Sequence, residues 1–279
     1  MVPSVGPILS LSYFCNPITM SRTIGLGTLL LLLLFLNVNI PHKKIRYVCY
    51  IVAVPVLCAM LFSMLLTGSR GPLLFVFIAF IFVFAFYIRQ IRWSWAKVFI
   101  VLCLIIFIVA IPKGLRFANI EFPSISRITH EMNSMGNNPS DISRIKMFAT
   151  AIDIFLDSKA LGVGTGGYLC LYNNVKYMYP HNLFLEVAAE QGMVGVMILL
   201  SSVYIACRRF VELMKSKNKL FNTFLIINLF ALWLYAFFNS LVSMDVSGNY
   251  YFWIFGGLIM LVKYDHIMYD DVAIADDIK

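Results

Sequence analysis

Charge is scarce in this sequence. Of its 279 residues only 13% are charged, against roughly a quarter in a soluble globular domain. A water-soluble fold of this length would have too little charge to clothe its surface, so soluble classes drop out. Histidine is rarer still, with four in the chain, and the six cysteines fall at no metal-ligand or disulfide-framework spacing; Cys49, Cys58, Cys103 and Cys207 sit inside apolar runs. The polar stretch from Pro112 to His181 contains no D-x-D and no His/Cys cluster, so no metal is expected. Its glycines, Gly162, Gly164, Gly166 and Gly167, lack both a Walker lysine and a preceding strand. That argues against a phosphate loop and for a tight turn that needs permissive backbone angles. The first residues carry neither a charged n-region nor an A-x-A site, so membrane targeting is expected from the internal apolar segments.

What is abundant is hydrocarbon. Hydrophobic residues make up 61% of the chain and mean hydropathy is +0.84. Leu, Ile, Val and Phe run on for lengths that match the roughly 20 residues needed to cross a bilayer. Seven spans are expected, at about Thr23–Ile40, Ile45–Leu66, Pro72–Ile88, Trp95–Ile111, Leu183–Cys207, Leu220–Ser240 and Tyr250–Val262. The formal net charge of +8 therefore reports topology, not a nucleic-acid partner. Lys43, Lys44 and Arg46 mark one loop, Arg89, Arg92 and Lys97 a second, and Arg208, Arg209, Lys215, Lys217 and Lys219 a third. Alternating spans put all three on one side, which the positive-inside rule makes the cytoplasm.

The expected organisation follows. Residues 1–22 form an outer segment, 23–112 four spans, 113–182 a long periplasmic loop, 183–263 three spans and 264–279 an acidic cytoplasmic tail. The fold class is all-α and polytopic, with one amphipathic helix in the loop. An odd span count with the start outside, and an apolar, Pro-containing segment 1–22, is what the remnant of a longer N-terminal half would look like. In the loop, Ser140 or Asp141 can cap a helix after Pro139. Ile142, Ile145, Phe148, Ile152, Phe155 and Leu156 recur at helical spacing, which predicts an interfacial helix ending near Ser158. Tyr179-Pro180-His181-Asn182 opens the fifth span, and Asn182, Glu186 and Glu190, four apart, share one of its faces.

Several residues are expensive where they stand. Arg70 lies in a very short outer connection, where arginine is disfavoured. It either snorkels to headgroups or grips a phosphate through its planar fork. Arg144 stands in the first turn of the loop helix, against the helix dipole, either as an exposed charge or as a ligand for an anion. His181 either starts a helix or acts as a general base, for which an ordinary pKa of about 6.5 would suit neutral pH. Glu186 and Glu190 can pair with arginines, seal a seam between helices or position a sugar; the seam suits Glu190 best.

Taken in order, Ser69-Arg70-Gly71, Ser143-Arg144, Leu161-Gly162-Val163-Gly164, His181-Asn182, Leu185-Glu186 and Glu190-Gln191-Gly192 resemble the C-terminal half of the O-antigen ligase/polymerase family. Phe252-Trp253-Ile254-Phe255-Gly256-Gly257 is similar to that family's last span, and Asn16-Pro17 with Ser21-Arg22 to its preceding outer loop. The resemblance implies a multi-spanning, GT-C-like glycosyltransferase of the inner membrane, working on its periplasmic face without metal or cofactor. Its donor would be an undecaprenyl-diphosphate-linked glycan and its acceptor a glycan or lipid A-core, reached among membrane lipids. The family's functional arginines fall on Arg70 and Arg144 and its histidine on His181; Asn182, Glu186 and Arg22 are the further candidate substrate contacts. The departure is length, since the family usually has several more N-terminal spans. A transporter would often show internal repeats and broken spans with ions at mid-membrane; the sequence shows no repeat, and its spans hold few charges. A non-catalytic assembly subunit is the third class that fits.

Overall fold

The computed structural model describes residues 16–37, 42–67, 69–87, 139–172, 179–215 and 221–262. Every regular element within them is helical: α1 (Pro17–Asn37), α2 (Lys43–Leu66), α3 (Arg70–Tyr87), α4 (Pro139–Asp157), α5 (Gly167–Tyr172), α6 (Leu183–Lys215), α7 (Phe221–Ser240) and α8 (Tyr250–Leu261). The expected span Trp95–Ile111, the polar residues 112–138 with Arg116, Arg127 and His130, and the acidic tail 264–279 lie outside the described residues. Four helices are long and apolar enough to cross a membrane: Pro17–Leu34, Tyr47–Leu66, Leu183–Lys215 and Thr223–Ser240. Arg70–Phe86 and Tyr250–Leu261 are apolar but shorter. The chain is an all-helical membrane protein.

Helix α1 begins six residues before the expected span. Asn16 Oδ1 accepts the Ile18 amide at 3.0 Å, and Pro17 takes the first helical position, where its missing N–H costs nothing. The helix then runs through Ser21 and Arg22, which are buried inside the protein at 0% and 3% exposure. Gly25 and Gly27 let α1 lie close to its neighbours: a Cβ on Gly25 would strike the Tyr235 hydroxyl, and one on Gly27 would meet Met60 Cε at 2.6 Å.

The core centres on α7. Phe230, Trp233 and Phe237 stack along one face, with Trp233–Phe237 centroids 5.4 Å apart. Phe210 of α6 stacks on Phe230 at 4.0 Å, Phe252 of α8 meets Trp233 at 5.7 Å, and Phe75 of α3 stacks on Phe238 at 5.7 Å. Burying such rings contributes a few kcal/mol each where water is the alternative; in a bilayer, close packing carries the association instead. The outward faces stay apolar: Tyr47, Ile51 and Val52 of α2 and Ile198 and Tyr204 of α6 are all more than half exposed. Lipid, not water, is the natural solvent for such faces.

Helix α6 is broken. Gly192 adopts φ 67 and ψ −159, a conformation open essentially to glycine alone. The loosened backbone groups are satisfied by the glycine turn after α4. Val163 N–H donates to Ala189 O at 3.1 Å, Gly164 N–H to Glu190 O at 2.8 Å, and Met193 N–H to Ala160 O at 2.8 Å. Gly162, itself at φ 79, faces Gly192 so closely that a Cβ on either would collide with the other strand's backbone. The glycine cluster is thus the structural turn its composition suggests. It also fixes α4 to α6, with Met147, Ala151 and Ile154 buried on that side. Ile142, Ile145, Ile152 and Leu156, the apolar positions with the clearest helical spacing, point the other way and are exposed.

Candidate functional site

The starts of α1, α3, α6 and α8 gather at one end of the bundle around the connection between α7 and α8, residues 241–249. Asn182 Nδ2 donates to Leu241 O at 3.0 Å, and Glu186 Oε1 accepts the Val246 amide at 3.2 Å. Arg22 Nη2 donates to Asn249 Oδ1 at 2.8 Å. A Cβ on Gly71, next to Arg70, would lie 3.5 Å from Val242 Cγ2. Thr19 and Tyr179 both aim their hydroxyls at Met244 Sδ, at 3.8 and 3.9 Å. Met244 itself takes a left-handed φ of 66. Inside the connection, Asp245 Oδ1 accepts the Gly248 amide and Oδ2 accepts the Ser247 hydroxyl, both at 2.7 Å. The opposite end holds the basic residues of α6: Arg209 donates to Val262 O at 2.7 Å and Arg208 pairs with Glu212 at 2.7 Å.

His181 stands two residues before α6 in the left-handed region, at φ 57, and its ring stands edge-on to Tyr179 at 4.5 Å. Burial, and then the positive charge of Arg144, push it down from its ordinary value of 6.5 to about 4. The ordinary histidine pKa expected from the sequence is corrected accordingly: His181 is neutral throughout the physiological range. Arg144, exposed on α4, is therefore within electrostatic reach of His181, two parts of the chain joined by the glycine lock. Burial pushes the Tyr179 phenol up, with Asp245 and Glu186 adding to the effect.

The remaining sequence candidates divide by role. Asn182 caps α6, its Oδ1 accepting the amides of Phe184 at 3.0 Å and Leu185 at 3.1 Å. Glu190 accepts the Tyr168 amide at 3.4 Å, the seam expected of it. Glu186 is buried, and its second oxygen has no protein partner. The same is true of the buried Ser21 Oγ, Ser243 Oγ and Asn239 Oδ1, a state that buried polar atoms seldom tolerate. Arg70 opens α3 and is half-buried. Arg22 is enclosed, with Tyr179, Tyr235, Tyr250 and Tyr251 as its electrostatic neighbours. Asn249 and the 241–249 connection went unread in the sequence. A buried asparagine at the edge of an apolar span, after Ser247-Gly248, was the available signal.

The fold and this end of it define a polytopic α-helical membrane protein with a buried arginine, Arg22, and the Arg144-influenced His181 where helix starts meet. A family model described as O-antigen ligase matches residues 55–200, more than half of the chain. The chain belongs to the O-antigen ligase family, and with it to a general ligase- or polymerase-type role in which a lipid-linked glycan donor meets an acceptor. The matched region includes Arg70, Arg144, His181, Asn182 and Glu186 and stops short of Arg22 and the 241–249 connection. No curated protein and no solved structure matches the chain.

Proposed function

We propose that this protein transfers or polymerises undecaprenyl-diphosphate-linked glycan at the periplasmic face of the inner membrane, as an O-antigen, capsule or exopolysaccharide ligase or polymerase. The observation that carries the reading is the gathering of His181 (through Tyr179), Asn182 and Arg22 on the 241–249 connection, at the end of the bundle where four helices begin. Helix starts and guanidinium groups favour anions, and the donor's leaving group is a diphosphate. An acceptor hydroxyl attacks the anomeric carbon while the bond from that carbon to the diphosphate oxygen breaks. The hydroxyl proton passes to His181, and the departing diphosphate carries the negative charge. Arg70 and Arg144 hold that charge, in place of a metal.

The depressed pKa of His181 fits this sequence of events. In the free protein the imidazole is unprotonated and ready to accept a proton. Once diphosphate neutralises the field of Arg144, one of the two causes of the depression is relieved, and the base strengthens when it is needed. Arg22 acts from the interior, and Glu186 and Asn182 hold the shape of the acceptor side. The test is transfer by the purified chain supplied with a lipid-diphosphate glycan. His181→Ala and Arg70→Ala should each abolish it, by about a hundredfold or more. Turnover that survives both changes would refute the reading.

A further inference from the structure

Arg22 is a buried cation without an ion pair among the described residues. Its guanidinium hydrogen-bonds to the neutral Asn249 Oδ1 at 2.8 Å, and its other electrostatic neighbours are the phenols of Tyr179, Tyr235, Tyr250 and Tyr251. The Tyr235 hydroxyl donates to the backbone oxygen of Arg22 at 2.9 Å, so it fixes the main chain and leaves the charge alone. Leaving a buried charge uncompensated is costly, and the usual remedy is a carboxylate. Asparagine replaces the carboxylate here. Asn249 is fully buried, and its orientation is set by its own donors: Nδ2 gives hydrogen bonds to Asp245 O at 2.8 Å and Ser243 O at 3.2 Å. Turning the amide over would lose both and set N–H against N–H.

The nearby acid is otherwise engaged. The Asp245 carboxylate is held by Gly248 and Ser247 within its own turn. Ser21 Oγ, beside Arg22, and Ser243 Oγ, beside the carbonyl that Asn249 grips, are buried without protein partners. The surroundings of Arg22 and Asn249 thus hold a buried positive charge, and the neighbouring Ser21 and Ser243 carry buried hydroxyls without protein partners.

We propose that Asn249 is a positioning residue that holds Arg22 in place without neutralising it, keeping the buried guanidinium as a standing positive charge for the diphosphate end of a lipid-linked substrate. Low-dielectric surroundings let such a charge act without touching the ligand. The proposal rests on the reading of the site given above.

The experiment is an equilibrium titration of the full chain in detergent micelles with undecaprenyl diphosphate, alongside thermal unfolding. Asn249→Asp keeps the size of the side chain and supplies the missing counter-charge. It should weaken binding about tenfold while the unfolding midpoint stays level or rises. Arg22→Gln should weaken binding to a similar degree, and the double variant should be no worse than either single one, because both remove the same charge. Binding by folded Asn249→Asp within about twofold of the original overturns the proposal. So does weakened binding accompanied by a lowered midpoint, which would make Asn249 merely structural. If Asn249→Asp does not fold, Arg22→Gln decides: unchanged binding overturns the proposal and weakened binding supports it. Failure of the unaltered chain to bind the lipid would instead overturn the reading of the site on which the proposal depends.

Discussion

His181 joins most of the chemistry at the residue scale. Its folded value, about 4, lies below its ordinary 6.5. As pH falls, the unfolded chain takes up the proton first, so the contribution of His181 to stability is lost between about pH 6.5 and pH 4. With His181 as the proposed base, the same shift would set the pH dependence of rate: the acid limb of kcat/KM should lie near pH 4, not 6.5. Arg144→Ala removes the second cause and leaves burial. The limb should move upward, short of the ordinary value, and the acid loss of stability should narrow. An unmoved limb in that variant would show that Arg144 does not act on His181. The residue names were legible in the sequence, because arginines and a histidine beside apolar spans are conspicuous. Their electrostatics were not, since the influence of Arg144 on His181 crosses 37 positions of chain and depends on burial no local pattern reveals.

At the scale of elements, the glycine lock between Gly162 and Gly192 holds the two halves of the site together. Each sits at positive φ, and a Cβ on either would meet backbone that cannot yield. Gly192→Ala should therefore cost about 2 kcal/mol or more in stability, read from unfolding of the detergent-solubilised protein. It should also release α4 from α6 and bring the kcat/KM limb closer to that of Arg144→Ala. A fully active, equally stable variant would show that the lock is dispensable. Hydropathy located these helices well: α3, α6, α7 and α8 begin within two residues of the expected starts. It missed the first six residues of α1: the expected span began at Thr23, whereas the helix starts at Pro17 and encloses Ser21 and Arg22 within the protein. The helix α4 ends where expected, at Asp157, and its clearest apolar spacing marks the face turned away from α6. The face that docks on α6 is built from Met147, Ala151 and Ile154, and alanine hardly registers in a hydropathy pattern.

At the scale of the whole molecule, the polarity of the bundle makes a prediction about sidedness. Ser247, exposed in the 241–249 connection, and Lys215, exposed at the end of α6, should lie on opposite sides of the membrane. In a cysteine-free background, Ser247→Cys should react with an impermeant maleimide in intact cells, and Lys215→Cys only after permeabilisation. The reverse pattern would invert the topology and remove the periplasmic assignment. Depth matters as much as side. Measured from Arg208 at the basic end, a continuous upright α6 extended to His181 would reach about 40 Å, against the roughly 30 Å of hydrocarbon. His181 would then stand roughly 10 Å beyond the hydrocarbon, while the headgroup layer is only about 6 Å deep. The proposed substrate, anchored by an isoprenoid tail, would present its pyrophosphate inside that thin layer. The bend at Gly192 frees the upper piece of α6 from the axis of the lower one, and so permits a histidine at the altitude of the headgroups that a straight rod would hold out of reach.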